Sequence, residues 1–283
     1  AHDVARGDYR TYAGKAYLGI DAGSTTTKIV LLSENHELLY EFYASNKGQP
    51  LDCIQRELSA LYEGLSPDCT ICGSAVTGYG EDLIRAGLGV DFGIVETVAH
   101  FKAASFFCPE VDFIIDIGGQ DIKAISIDGQ GAVKNFLMND KCAAGTGRFL
   151  EMMAKTLGLS LEEMSVKGLE WKHNIVISSM CTVFAESEVV SLVAQNKDVA
   201  DIIHGLNVSV ASKVGALAAR LGKDHPGEYM MTGGVAKNQG IIQALEEKLG
   251  AKLYICDEAQ LCGALGAALF AYEKCKGSAE ETR

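Results

Sequence analysis

Asp21-Ala22-Gly23-Ser24-Thr25-Thr26-Thr27-Lys28 and Asp116-Ile117-Gly118-Gly119-Gln120-Asp121-Ile122-Lys123 are two versions of one chemical device. Each has a carboxylate, a glycine two positions on, small or polar residues, and a lysine seven positions after the aspartate. A strand that ends in Asp-x-Gly and turns tightly into another strand can grip phosphate. The glycine lets the backbone come close, and the turn's N–H and hydroxyl groups face the anion. Asp21 and Asp116 then hold Mg²⁺ through water rather than touching phosphate. Gln120 or Asp121 is placed to position an attacking water. Lys28 either reaches phosphate or flanks the Asp21 carboxylate. A single Asp-x-Gly is ordinary turn chemistry. Two with matched spacing point to a nucleotide clamped from both sides.

A third segment, Met230-Met231-Thr232-Gly233-Gly234-Val235-Ala236-Lys237-Asn238, reads as a strand end, a Gly-Gly turn and a helix start. Gly233 and Gly234 let a flat base or ribose lie on the backbone. With Lys237 and Gln260 they form the nucleoside side of the expected site.

Thiols supply the other chemistry. The chain has nine cysteines, an odd number, and no secretory signal, so reduced thiols in the cytoplasm are expected. Cys69-Thr70-Ile71-Cys72 has C-x-x-C spacing but lies in a strand-like segment, where residues three apart face opposite ways. Cys142, in Met138-Asn139-Asp140-Lys141-Cys142-Ala143-Ala144-Gly145-Thr146-Gly147-Arg148-Phe149-Leu150-Glu151, stands just before a helix start. Cys181 does the same in Ile177-Ser178-Ser179-Met180-Cys181-Thr182-Val183-Phe184-Ala185-Glu186-Ser187-Glu188. A thiolate or anionic cluster there is stabilised by unbonded N–H groups and the helix dipole. Two thiolates are too few for an iron–sulfur cluster. A two-fold homodimer supplies two more, giving one 4Fe–4S cluster between subunits.

Elements that can position these residues alternate along the chain. Strands are expected at 17–21, 27–33, 37–44, 69–76, 111–117, 121–127, 131–138, 174–178 and 228–232. Helices are expected at 50–63, 79–87, 97–107, 145–157, 160–167, 184–195, 198–222, 235–249 and 260–274. This gives an α/β protein of two similar lobes with a nucleotide cleft between them. Residues 17–110, completed by the helix 263–275, form the first lobe, and 111–262 form the second with the cluster-binding segments. Residues 1–16 are expected as a tail or linker. The 283 residues, 48% hydrophobic content and four prolines suit a well-packed core. A formal charge of −12 argues against nucleic acid or an anionic membrane as partner. No run of eighteen apolar residues exists, so no membrane span is expected.

The phosphate and nucleoside segments resemble the superfamily of actin, hexokinase, acetate kinase and the heat-shock chaperones, which implies two lobes closing on ATP. The Cys142 and Cys181 segments are more specific. They resemble the signatures of the 2-hydroxyacyl-CoA dehydratase activators and of the ATPase subunits of benzoyl-CoA reductase. Leu18-Gly19-Ile20-Asp21, Val76-Thr77-Gly78-Tyr79-Gly80 and Gln260-Leu261-Cys262-Gly263-Ala264-Leu265-Gly266-Ala267-Ala268 agree with the same family. The resemblance implies a homodimer with one bridging 4Fe–4S cluster held by Cys142 and Cys181. It also implies oxygen sensitivity, an ATP/ADP cycle with Mg²⁺, and an electron delivered to an iron–sulfur dehydratase or reductase, possibly fused in a larger polypeptide. Reduced ferredoxin or flavodoxin is the implied donor. Lobe closure is expected to move the helices after Cys142 and Cys181, with Gly145 at the coupling point. The alternatives are a small-molecule kinase of the same fold and a nucleotide-gated interaction module without a cluster.

Overall fold

The computed structural model describes residues 3–178, 181–222 and 227–280. The chain divides into one unit of Ala1–Glu110 with Gln260–Arg283 and a second of Val111–Ala259.

In the first unit, β1 (Gly14–Ala22), β2 (Thr26–Ser33) and β3 (Leu38–Ser45) form an antiparallel meander. Then follow α1 (Pro50–Gly64), β4 (Cys69–Thr77), α2 (Glu81–Leu88), β5 (Phe92–Gly93) and α3 (Glu96–Phe107). The sheet order is β3-β2-β1-β4-β5, with β4 parallel to both β1 and β5. Buried positions run almost without break along β1, as a strand covered on both faces requires. β3 lies at the edge, and its later residues alternate between half-buried and exposed. Pro50 opens α1 with its φ already set, and Cys53, Ile54, Leu58 and Leu61 give that helix its buried stripe. On the other face the chain's last helix, Cys262–Glu280, comes very close: a Cβ at Gly19 would lie 2.0 Å from the Ala264 carbonyl oxygen.

Of the residues expected as a tail or linker, Gly14–Ala16 open β1 and the stretch from Ala5 to Tyr9 lies along β3. Arg6 bridges Leu38, Gly7 N–H donates to Leu38 O at 3.0 Å, and Leu38 N–H donates to Ala5 O at 2.7 Å. Tyr9 meets Tyr40 edge-on at 5.2 Å.

The second unit repeats the plan. β6 (Phe113–Ile117), β7 (Ile122–Ile127) and β8 (Val133–Asn139) form its meander. α4 (Gly147–Leu157), α5 (Leu161–Lys167), α6 (Thr182–Ala194) and α7 (Val199–Arg220) precede β9 (Tyr229–Thr232), α8 (Gln239–Leu249) and β10 (Leu253–Tyr254). The last helix is therefore α9. The order β10-β9-β6-β7-β8 mirrors the first sheet strand for strand, with the same parallel and antiparallel pairs. α7 is long and apolar enough to cross a membrane by length and composition. Its Ile202, Ile203, Leu206, Val210 and Val214 are instead buried within the unit.

One expected strand is not formed. Residues 174–178 lack any ladder partner among the described residues. They have the alternation of an extended segment, with Ile177 buried, but pack across α7, where a Cβ at Gly205 would lie 2.5 Å from Ile175 O. Just ahead, the Lys172 and His173 N–H groups donate to Asp201 Oδ1 at 2.8 and 3.0 Å. These bonds hold the Asp201 carboxyl below its ordinary pKa.

Candidate functional site

The matched lysine spacing becomes a matched cross-strand pair. Asp21 stands opposite Lys28 in the β1–β2 ladder, and Asp116 stands opposite Lys123 in the β6–β7 ladder. Facing residues in an antiparallel pair are close enough for side chains to meet. Lys28 Nζ lies 3.4 Å from Asp21 Oδ2. Lys123 Nζ lies 3.7 Å from Asp116 Oδ2 and 2.9 Å from Asp121 Oδ2. Both lysines thus flank carboxylates. Each turn closes identically, Gly23 N–H onto Thr26 O and Gly118 N–H onto Asp121 O, both at 3.0 Å.

Around the first turn Ser24 is exposed and Thr25 and Thr26 are half-buried, while Thr27 is fully buried with its Oγ1 3.4 Å from Asn46 Nδ2. In the second turn Gly118, Gly119 and Gln120 are half-buried and Asp121 is buried. Asp21 and Asp116 are also buried. Buried oxygen donors of this kind, backed by lysine, suit a hydrated Mg²⁺.

The glycine turn at Gly233 also has a counterpart, at Gly78. The registers pair Asp21 with Thr77 and Asp116 with Thr232, so each aspartate sits beside a Thr-Gly strand end. Gly78 (φ 103°) and Gly233 (φ 90°) adopt the left-handed conformation that glycine tolerates. A Cβ there would lie 2.4 Å from Ala22 O and 2.3 Å from Ile117 O respectively. Thr232 Oγ1 donates to Asp116 Oδ1 at 2.8 Å. Gly233 N–H donates to Ala259 O at 2.8 Å, placing the turn against the residue before Gln260. Gly234 and Lys237 are exposed and Gln260 is half-buried. Sequence reasoning did not assign Thr77 or Asn46 to the site, and it placed Thr232 only at the start of the nucleoside loop. The repeated Thr-Gly at two strand ends was the available signal.

The Cys142 loop is fastened to the second hairpin. The expected helix at 145 begins at Gly147, with Thr146 at its N-cap position. Gly147 N–H donates to Gly118 O at 2.9 Å and Arg148 N–H to Gly119 O at 3.0 Å. Thr146 Oγ1 donates to Ala143 O at 2.6 Å, and Lys213 Nζ donates to Ala144 O at 2.9 Å. Gly145 turns the chain with φ 89°, and a Cβ would lie 3.3 Å from Ile122 Cδ1. In the first unit the carbonyl matching Gly118 O, that of Gly23, receives the Asn46 side-chain amide at 2.8 Å.

Cys142 is half-buried and Cys181 is exposed at the N-cap position of α6; Ser179 and Met180 lie outside the described residues. α4 and α6 pack on each other, with Thr156 Oγ1 donating to Glu186 Oε1 at 3.4 Å. α6 buries Ala185 and Val189 and exposes Val183, Phe184, Val190 and Val193. Among the described residues no three His, Cys, Asp or Glu gather into a metal site. Two reduced thiols before the helix starts fit half of a four-thiolate cluster site. Of the other cysteines, Cys53, Cys69, Cys108, Cys256 and Cys262 are buried, Cys275 is half-buried and Cys72 is exposed.

The chain is similar to known proteins over nearly its whole length. A family model described as the BadF/BadG/BcrA/BcrD ATPase family matches residues 18–271. The (R)-2-hydroxyglutaryl-CoA dehydratase activating ATPase of Acidaminococcus fermentans is 43% identical over 262 residues, 91% of this chain and 97% of that protein. The activator of the 2-hydroxyisocaproyl-CoA dehydratase from Clostridium difficile, solved with bound ADPNP, superposes with a TM-score of 0.84 at 39% identity. That match covers 95% of this chain and 98% of the other. A ROK family glucokinase from Streptomyces griseus, solved with glucose and AMPPNP, shares the fold at 14% identity and TM-score 0.56, over 91% of this chain and 99% of its own.

Proposed function

The chain belongs to the BadF/BadG/BcrA/BcrD ATPase family, and from that premise we propose that it is an ATP-driven electron-transfer activator for a 2-hydroxyacyl-CoA dehydratase or a related iron–sulfur reductase. Its relatives include dehydratase activators and a benzoyl-CoA reductase subunit, and one of the activators was solved with an ATP analogue. The observation that carries the reading is the pair of backbone bonds from Gly147 and Arg148 to Gly118 and Gly119. They join the hairpin read as phosphate-binding to the loop that presents Cys142.

Each unit carries one hairpin of the kind that binds phosphate. Ser24, Thr25 and Thr26 offer hydroxyls and turn N–H groups to phosphate, with Asp21 and Asp116 ordering the water shell of Mg²⁺. Asp121 is tied to Lys123 at 2.9 Å, which leaves Gln120 to orient the attacking water. Gly233, Gly234, Lys237 and Gln260 take the nucleoside side.

Cys142 and Cys181, with the same residues of a second copy, hold one 4Fe–4S cluster. Bound there, the cluster would supply low-potential one-electron transfer. Val183 and Phe184, exposed in the first turn of α6 directly after Cys181, offer the apolar contact a homodimer seam needs there. Reduced ferredoxin or flavodoxin is the fitting donor.

Anaerobic purification tests the reading. The protein should be brown and dimeric, with about four irons per two chains, and should hydrolyse ATP. Cys142→Ser and Cys181→Ser should lose the iron and weaken the dimer, whereas Cys69→Ser and Cys72→Ser keep it. Full iron in the Cys181 variant would defeat the ligand assignment. A colourless monomer that phosphorylates sugars would replace the activator reading with the kinase one.

A further inference from the structure

The Asp–Thr pair occurs in both units, yet only one pair is hydrogen-bonded. Asp21 and Thr77 occupy the same ladder positions as Asp116 and Thr232. The two carboxylates also stand at the same place relative to the following glycine. A Cβ on Gly78 would lie 3.0 Å from Asp21 Oδ1, and one on Gly233 would lie 3.0 Å from Asp116 Oδ1. Thr232 Oγ1 donates to Asp116 at 2.8 Å. Thr77 is fully buried, and its Oγ1 has no hydrogen-bond partner among the described residues.

A buried hydroxyl without a partner is costly and uncommon in native proteins. Valine would fill the same shape with no polar atom, so packing alone does not account for a threonine here. Threonine χ1 moves between staggered wells by a single rotation. In this structure Asp21 Oδ2 is met by Lys28 at 3.4 Å. The absence of a side chain on Gly263 lets the start of α9 come close to the same oxygen.

We propose that Thr77 is the positioning residue of the first hairpin: in the nucleotide-bound state it turns about χ1 and donates to Asp21 Oδ1, the bond Thr232 already makes to Asp116. This rests on the reading of residues 21–28 as a nucleotide hairpin. The hydroxyl then fixes the carboxylate plane, so that Asp21 would hold the water shell of Mg²⁺ in one orientation. Thr77 never touches nucleotide itself. The second hairpin is set before ligand arrives, and the first is set by its arrival.

Thermal melting and the Mg²⁺ dependence of ATP hydrolysis test this together, in wild type, Thr77→Val, Thr77→Ala and Thr77→Ser. Thr77→Val should leave the ligand-free melting temperature unchanged or higher, because it removes an unpartnered polar atom. It should lose most of the melting-temperature gain given by Mg²⁺ with ADPNP, and raise the half-saturating Mg²⁺ concentration about tenfold, the scale of one hydrogen bond to a charged group. Thr77→Ser should restore both. Thr77→Ala keeps the test available if valine packs badly. Its ligand-induced gain should fall as that of Thr77→Val does. If the wild type gains stability with Mg²⁺ and ADPNP and the Val and Ala variants gain as much, the positioning role is wrong while the nucleotide reading stands. If the wild type itself shows no gain, both are wrong.

Discussion

The two hairpins are alike in register and unlike in fastening. In the second, Lys123 is buried between two carboxylates, Thr232 holds Asp116, and the start of α4 is hydrogen-bonded to the turn. In the first, Lys28 is half-buried beside Asp21, the Thr77 hydroxyl has no partner among the described residues, and a side-chain amide from Asn46 takes the place of the helix backbone. The two copies of the fold thus differ in how their hairpins are bonded, and the one held by Lys123, Thr232 and the start of α4 is the one joined to the Cys142 loop. A turn that must report its ligand to another site gains from stiffness, because slack would absorb the displacement before it reached α4.

The sharpest way to break this comparison is to remove the two lysines in turn. Lys123→Met leaves two carboxylates buried without their cation, and losses from breaking a buried pair run to about 3–5 kcal/mol. Lys28→Met leaves one carboxylate in a less enclosed place and should cost clearly less. Denaturant unfolding of both variants measures the difference. Equal losses would mean that the two hairpins are fastened equally.

Turnover should separate the hairpins next. Asp116→Asn or Gln120→Ala should lower ATP hydrolysis by roughly a hundredfold, the scale of one positioned catalytic group. Nucleotide binding should survive better than turnover in Gln120→Ala. Ser24→Ala should weaken binding by up to about tenfold, one hydroxyl contact, with a smaller effect on turnover. Unchanged hydrolysis in both Asp116→Asn and Gln120→Ala would remove residues 116–121 from the site.

How much of this was legible follows from the range of each interaction. The Asp–Lys pairs were visible in the sequence as a spacing of seven, because a four-residue turn sets those positions opposite each other within one hairpin. The placement of Thr77 beside Asp21 and of Thr232 beside Asp116 was not, because the β1–β4 and β6–β9 registers join strands far apart in sequence. β5 and β10 escaped notice because two residues cannot display alternation. Residues 174–178 misled for the opposite reason. Their alternation is real, but the surface they bury against is α7 rather than a strand. The Cys142 and Cys181 segments stood out because of the small residues and polar turns around them. The bonds fixing the first to the hairpin lie in backbone groups that no side-chain pattern encodes.

The link itself can be cut at Gly145. Its φ of 89° disfavours any β-branched residue, and Ile122 and Val210 stand 3.3 and 3.5 Å from where a Cβ would lie. Gly145→Val should cost about 1–3 kcal/mol locally and leave nucleotide binding largely intact. In wild type, iron loss to a chelator should proceed at different rates with ADP and with a non-hydrolysable ATP analogue. In the variant the two time courses should coincide. Identical curves in the wild type would sink the coupling, even with both cluster and ATPase present.

The smallest effect compares one histidine from each unit. His204 stacks on Trp171 with ring centroids 3.8 Å apart, and burial pushes its pKa below the ordinary value, with Glu247 and Asp201 opposing. His36 lies edge-on to Phe106 and Tyr272, and burial together with Lys276 pushes it the same way against Glu273. A histidine whose folded pKa is depressed takes up protons more readily when unfolded. Its contribution is therefore undiminished above the unfolded pKa, near 6.5, and is lost as pH falls through the lower folded value. Melting temperature should fall as pH drops from about 8 to about 5.5. His204→Gln should flatten that fall more than His36→Gln, because His204 is buried and His36 only half so. A stronger flattening from His36→Gln would place the more proton-sensitive packing in the first unit and reverse this part of the comparison.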